Sequence, residues 1–486
     1  MTEQFLRFAI TLLLTNVWVT NLLAQSDIAF APEVYAARRM LLMEQIGNAA
    51  LIVPGKYMIQ PEHILKQNPN FWYLTGVESP YAILVVVPEE NGLREVLFLP
   101  EHFQFAVSNF PQKDLRFRAA TWNQPIRRLY PGDEAQTATG IAETYLVDDF
   151  KDRVLEIVSE KKTIYFMSDS EEYYAPPGLS PATSFSQQLE SDLAAIFPGA
   201  TMKDATPLVN RMRDIKDEHE IALIRRAVEI STMSLAAAGR AIEPGKNALE
   251  LVGLMQHIWK REGAPHVSHP PMFAVGPDSL RMYALSYENY NNVDHIMQAG
   301  ELAYVDYGVA EVDMYASDVC RTFPISGKFT PEQRKYYDIV VEAEEAALAS
   351  IKPGAKYIDL VKASAGVFKK YGLQKYEDID AMGVENVWGI FPSPTHFLGE
   401  PLTNPAPVPA RGLGHHVDLV VARTITDPDT SIEPGMVITI EPKLYIPELG
   451  TGMMIEDMIL ITEDGYENLS KNLARTADEI EALMAQ

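Results

Sequence analysis

An α/β N-terminal domain followed by an α+β C-terminal domain is the architecture that the sequence predicts. Three observations predict it. The chain has 486 residues, more than one compact core usually serves, so two domains of roughly 200–250 residues are expected. Short β-branched runs alternate with helical patterns as far as residue 205. Beyond a long amphipathic helix that begins near Lys216, further helices flank blocks of strand pattern. The assigned segments are 27–205 and 206–486. Hydrophobic residues make up 47% and charged residues 22% of the chain, a globular composition that excludes disorder or a coiled coil as the main state.

Each element has a local reason. Phe8 to Ala24 is apolar, follows Arg7 and precedes Gln25-Ser26-Asp27. Residues 1–24 therefore read as a secretory signal peptide cut after Ala24, and a periplasmic or secreted location is expected. No cysteine follows the stretch, which excludes a lipoprotein anchor, and no later run is apolar for long enough to span a bilayer. Residues 31–45 carry apolar side chains at three- and four-residue spacing and predict a helix. Residues 49–54, 82–88 and Val96 to Pro100 predict strands, the last two joined by the turn Glu89-Glu90-Asn91-Gly92. Ile221, Ile224, Val228 and Leu235 form one stripe of a helix that Glu243-Pro244-Gly245 stops. Helices are expected over 248–262 and 331–351, strands over 436–463, and a structured loop over the proline-rich residues 391–411.

Charge and cysteine content narrow the function. With 41 basic and 66 acidic residues the net charge is −25, which repels phosphate backbones and excludes nucleic acid as a partner. The single cysteine, Cys320, excludes an internal disulfide framework and a zinc site of several thiolates. It reads as a packing residue. The chain has no Gly-x-Ser-x-Gly elbow, no phosphate loop and no Gly-x-Gly-x-x-Gly. His219-Glu220 starts like a zincin helix, but Leu223 occupies the place of the second histidine.

The informative feature is a set of acids set in apolar strands. Asp306 follows Leu302-Ala-Tyr-Val, Asp318 lies in Tyr315-Ala-Ser-Asp-Val-Cys-Arg, Glu441 follows Val437-Ile-Thr-Ile, and Glu456 lies between Ile455 and Asp457. Ionised carboxylates in such surroundings are costly unless compensated, and they repel one another. One or two shared cations remove both problems. His415, in Gly412-Leu-Gly-His-His, offers a nitrogen donor. Carboxylates with an imidazole suit divalent manganese, cobalt, iron or zinc.

The ligand order Asp306, Asp318, His415, Glu441, Glu456 resembles the pita-bread metallopeptidases. So do the flanks Asp-Val-Cys-Arg-Thr-Phe-Pro, Gly-Leu-Gly-His and Glu-Pro-Gly-Met-Val-Ile-Thr-Ile-Glu-Pro. Within these the chain is most similar to Xaa-Pro aminopeptidase (aminopeptidase P) and prolidase. Gln67 to Pro80 and Arg38-Arg39 resemble the aminopeptidase P N-terminal domain. The resemblance implies two pseudo-symmetric αββ halves around a curved sheet in the C-terminal domain. It implies two divalent ions, manganese first, with cobalt, zinc or iron as alternatives. Asp306 would bind one ion, Asp318 and Glu456 would bridge both, and His415 and Glu441 would complete the other. A metal-bridging hydroxide would attack the carbonyl before proline, with Glu441 as proton carrier. The implied substrate is a peptide with proline in second position, and the implied assembly a homodimer or homotetramer.

Four positions depart from the family pattern. Ser286, Arg411 and Ala422 stand where the family has substrate-contacting histidines, and Met454 stands where it has an arginine. Arg411 and His416 are therefore candidate catalytic residues beside Glu441, and Ser286, His269 and His396 candidate substrate contacts. Two alternative functions follow. One is a catalytically weak or inactive member that acts as a peptide-binding module. The other is a different hydrolase or lyase reaction on the same metal cage.

Overall fold

The computed structural model describes residues 29–56, 66–100, 129–158, 161–168, 185–281, 294–352, 354–373, 396–397, 400–401, 413–425, 427–446 and 449–486. The signal-peptide segment 1–24, Ser286 and Arg411 lie outside the described residues. The chain divides after Arg211 into two compact units. Among the described residues no helix is long and apolar enough to cross a membrane.

The N-terminal unit is built on a six-stranded mixed sheet. Its strands are β1 (Ala50–Pro54), β2 (Ile83–Glu89), β3 (Gly92–Leu99), β4 (Glu143–Leu146), β5 (Thr163–Phe166) and β6 (Thr201–Asp204). They lie in the order β4-β3-β2-β1-β5-β6. The hairpin β2–β3 is antiparallel, closed by the two-residue turn Glu90-Asn91, and β4, β5 and β6 join in parallel. Strands and helices share a core of Ile52, Val85, Phe98, Leu193 and their neighbours.

The sequence segment 67–80 does structural work here. Gln67 is buried and donates from Nε2 to the carbonyls of Val77 and Ser79 at 3.2 and 2.9 Å. Asn68 caps helix Pro69–Thr75, whose proline suits a first-turn position that lacks a donor requirement. Gly76 ends it at φ 68°, and a Cβ there would meet the Tyr35 ring at 2.5 Å. The first helix, Pro32–Ile46, turns Arg39 inward. Its Nε donates to Glu95 Oε1 at 2.7 Å and its Nη1 to the Leu74 carbonyl at 2.9 Å.

The C-terminal unit carries the expected long helix, Glu218–Ala241, started by a capping box between Asp217 and Glu220. Glu220 is buried, and its Oε1 accepts from Tyr315 Oη at 2.8 Å. Helices Ala248–Arg261, Pro331–Ala349 and Tyr357–Lys370 follow. The strands are β7 (His266–Val267), β8 (Met272–Val275), β9 (Leu302–Asp306), β10 (Ala310–Val312), β11 (Tyr315–Ala316) and β12 (Cys320–Pro324). The short pair β13 (His396–Phe397) and β14 (Glu400–Pro401) comes next. The chain continues with β15 (His415–His416), β16 (Arg423–Thr424), β17 (Val437–Ile440), β18 (Lys443–Ile446), β19 (Thr451–Met454), β20 (Asp457–Thr462) and β21 (Gly465–Asn468).

Two antiparallel sheets matter most: β12-β9-β8 and β16-β15-β17-β20-β21. The bridge between Cys320 and Glu456 joins them. The strand pattern expected at Met453 to Ile461 is thus broken at Glu456. Glu441 follows the end of β17, and Glu456 sits between β19 and β20 rather than inside one continuous strand. At both points the backbone leaves one ladder and enters another.

Arg321 clamps that junction. It is fully buried. Its Nη1 donates to the carbonyls of Cys320 and Glu456 at 2.8 and 2.9 Å, its Nε to the Ala474 carbonyl at 2.8 Å, and its Nη2 to Asp457 Oδ1 at 2.5 Å. Asp457 also accepts from Ser470 and Asn468. Removing one member of such a pair leaves a buried charge unmet, at a cost of about 3–5 kcal/mol. Arg321→Met should therefore lower the urea unfolding free energy by about that amount. Asp457→Asn combined with it should lose less than the two single changes added together. A single-variant loss under about 1 kcal/mol would show that the clamp does not hold the sheets.

Candidate metal centre

The five expected ligands converge. Cys320 pairs with Asp306 across β12 and β9, which brings Asp318, two residues earlier, beside Asp306. The Cys320–Glu456 bridge carries Glu456 to the same place. On the other sheet His415 lies in β15, and Glu441 N donates to the Leu413 carbonyl at 2.8 Å. Two glycines permit these approaches. A Cβ on Gly414 would stand 1.8 Å from the Thr439 carbonyl oxygen, and one on Gly308 would stand 2.4 Å from that of Val319. Tyr357 Oη locks the Gly414 turn, accepting from its N–H at 2.8 Å and donating to its carbonyl at 2.7 Å.

Asp306, Asp318, His415, Glu441 and Glu456 are all buried. His415 Nε2 lies 3.5 Å from Asp318 Oδ2 and 3.5 Å from Glu441 Oε1. Among the described residues two groups have donor atoms within 4.8 Å of one another: Asp318 with His415 and Glu456, and Asp318 with Asp306 and His269. Burial, then the Asp318 carboxylate, pushes Asp306 up to about 7. Burial and the carboxylates of Asp318, Glu441 and Asp306 hold Glu456 well above the ordinary carboxylate range. Burial disfavours a charged His269, but the Asp318 and Asp306 carboxylates outweigh it and raise the imidazole above its ordinary value.

Polar atoms left without a hydrogen bond test whether a cation fits. They include His269 Nε2, Asp306 Oδ1, Asp318 Oδ1, Glu441 Oε1 and both oxygens of Glu456. Buried polar atoms are ordinarily satisfied. A cluster of orphaned carboxylate oxygens with an imidazole nitrogen is a donor set for divalent cations. The residues fit the metal that the sequence implies.

Of the other expected residues, His416 faces a different network. His416 was expected beside Glu441, but successive strand residues face opposite sides, and His416 is turned away from the acids. Its Nε2 lies 3.4 Å from Asp214 Oδ1. There it joins a second buried network in which Asp418 binds Arg213, and Arg423 Nη2 reaches Asp418 at 3.0 Å and Asp214 at 2.6 Å. Burial, then Lys216 and Arg423, hold His416 well below its ordinary value, so it stays neutral. His396 lies in β13, opposite Pro401. Met454 is buried, and its sulfur accepts from Tyr304 Oη at 2.6 Å. Cys320 is buried with a thiol pushed well above its usual value, first by burial and then by the Asp306 and Glu456 charges.

Sequence reasoning missed Lys443. It is buried, and its Nζ donates to Glu441 Oε2 at 2.5 Å. It faces Met454 across the β18–β19 pair, and its charge lowers both Asp306 and Glu456 against the burial that raises them. A lysine two residues after a glutamate carries no sequence signal for this placement. The β18–β19 register alone reveals it.

Residues 222–463 match metallopeptidase family M24, and residues 35–165 match the aminopeptidase P N-terminal domain. The chain is 30% identical over 470 residues to the Xaa-Pro aminopeptidase of Escherichia coli (strain K12), covering 93% of this chain and 97% of that one. It is 35% identical over 494 residues to Xaa-Pro aminopeptidase 2 of Streptomyces coelicolor, covering 95% and 93%. Zinc-substituted E. coli aminopeptidase P in complex with product superposes with a TM-score of 0.70 at 27% identity, covering 94% of this chain and 98% of that one. Proline aminopeptidase P II from Yersinia pestis gives 0.72 at 26%, covering 94% and 100%. The C-terminal unit has the pita-bread fold. The chain belongs to metallopeptidase family M24 and, within it, to the Xaa-Pro aminopeptidases.

Proposed function

We propose that this enzyme removes the N-terminal residue from peptides with proline in second position, using two divalent ions, manganese first among them. The observation that carries this reading is the convergence of five buried ligands in a chain that resembles Xaa-Pro aminopeptidases over nearly its whole length. Asp306, Asp318 and Glu456 would hold one ion, and Asp318, His415, Glu441 and Glu456 the other. Bound there, divalent ions polarise a carbonyl and lower the pKa of water. Residues 206–486 would form the catalytic domain and 27–205 the accessory domain. The enzyme would be exported after cleavage of residues 1–24 and would assemble as a homodimer or homotetramer.

The chain's own groups have definite tasks in this reading. Lys443 holds Glu441 through Oε2. That leaves Oε1, which has no hydrogen bond, as the atom that binds or takes a proton. The peptide-binding alternative without turnover draws on one observation: Met454, buried against Tyr304, offers the cleft no charge. Lys443, opposite Met454, supplies a cation at that level of the ladder and favours retained catalysis.

Metal-stripped protein reloaded with manganese, cobalt or zinc should release the N-terminal residue from Xaa-Pro peptides. Glu441→Ala should reduce the rate by about 10²–10⁴-fold, the range for loss of a positioned proton carrier. No cleavage by any reloaded form would remove the peptidase reading. Lys443→Met leaves one oxygen of Glu441 unpaired, and a charged hydrogen bond contributes about 1.5–3 kcal/mol. A fall in kcat of roughly tenfold to a hundredfold is expected; an unchanged kcat would confine Lys443 to a structural role.

Stability should also depend on pH in a definite sense. The folded metal-free chain holds protons on Asp306 and Glu456 that unfolded carboxyls, with pKa values near about 4, have released. Its stability therefore falls as pH rises from about 4 through 7. Melting of stripped protein between about pH 5 and 8 should show a falling midpoint, with the gain on adding metal largest at the upper end. A midpoint that rises with pH would contradict the crowding of these acids.

A further inference from the structure

His269 precedes Pro270 and Pro271 in the loop between β7 and β8. Prolines fix the backbone at both of the following positions, and Ser268 N donates to the Val309 carbonyl at 3.2 Å. The backbone that carries the side chain is therefore restrained. His269 is only 9% exposed, and its Nε2 has no hydrogen-bond partner. Its Nδ1 lies 2.7 Å from the Pro270 carbonyl oxygen. A carbonyl only accepts, so Nδ1 donates to it and Nε2 is the nitrogen left for a ligand. It faces the acids, 3.8 Å from Asp318 Oδ1.

His415 is arranged in the same way. Its Nδ1 lies 3.2 Å from the His416 carbonyl oxygen, and its Nε2 faces Asp318 and Glu441. A histidine whose outer nitrogen donates to a carbonyl while the inner one meets carboxylates has the orientation of a metal ligand. A substrate-contacting histidine needs a face open to the cleft, and the buried, orphaned Nε2 of His269 does not supply one.

We propose that His269 is a metal ligand: with Asp306 and Asp318 it completes the donor set of the ion opposite His415, so that each ion takes one imidazole nitrogen. This rests on the two-ion reading above. It replaces the expected substrate contact at His269, and it moves the Asp306 ion from an all-oxygen set towards one that favours cobalt or zinc over harder cations.

The test uses the full chain loaded with cobalt(II). Ring N–H protons of cobalt-bound histidines give exchangeable, strongly shifted proton resonances that vanish in D₂O. With two equivalents bound, two such resonances are expected, from His269 and His415. His269→Ala should lose one resonance and weaken one of the two equivalents by at least about tenfold in a calorimetric titration. The exposed neighbour should not matter, so His266→Ala should leave both equivalents and both resonances unchanged. One resonance from wild-type protein with two equivalents bound would overturn the assignment and leave the two-ion reading intact. Binding of fewer than two equivalents by wild-type protein would overturn both. The wild-type count stands without any variant, so poor folding of His269→Ala does not protect the proposal.

Discussion

Mutual repulsion among four buried carboxylates is the constraint on which the rest of the C-terminal unit depends. Asp306, Asp318, Glu441 and Glu456 lie on separate pieces of backbone and are held together against that repulsion. The force that holds them comes from outside the cluster. Arg321 binds the carbonyls of Cys320 and Glu456 and the carboxylate of Asp457, fastening the two sheets at the residues that carry the acids. Tyr357 pins the Gly414 turn, which fixes His415. The scaffold is thus satisfied, while the site inside it is left electrostatically incomplete.

The neighbouring network around His416 shows the difference. Asp214 and Asp418 there face Arg213, Arg423 and Lys216, all supplied by this chain. Burial disfavours an ionised Asp418, but those cations outweigh it and hold the carboxyl well below the usual range. That network balances its charge with the chain's own cations. The acid cluster does not, and Asp306 and Glu456 are pushed up rather than down. Strand alternation assigns the two adjacent histidines one to each network. His415 serves the acid-rich cluster and His416 the charge-balanced one.

Much of this was legible in the sequence for local reasons. The helices over 32–46, 218–241, 248–261 and 331–349 follow from periodicity and caps, and the hairpin at 83–99 follows from its turn. The acids stood out because they interrupt apolar strands. Gly414 stands in the motif before His415, and Thr439 is the residue it approaches. What was hidden depends on pairings between distant residues. Glu456 appeared to sit within a strand, yet it lies at a break that only the bridge to Cys320 explains. His269 lies far along the chain from His415, and nothing local shows that both donate outward from Nδ1 to a carbonyl. Lys443 follows Glu-Pro and reads as a surface lysine until its pairing with Met454 is known.

The placement of Lys443 follows from counting charge. In the proposed reading two divalent ions would match the four carboxylates, and negative charge would move from the attacking oxygen onto the peptide carbonyl oxygen, where a fixed cation would stabilise it. Ala422 and Met454 bring no cation to meet it. Lys443 does, from the strand opposite Met454, with its ammonium fixed on Glu441 before substrate arrives. A fixed cation needs no reorganisation when charge develops, which is the condition under which electrostatic stabilisation is most effective. Lys443 stands cross-strand from Met454 at the same height in the β18–β19 ladder, and the carboxylate that it touches is Glu441. In the proposed reading the residue that would carry the proton and the cation that would balance the charge are thus joined in one buried pair.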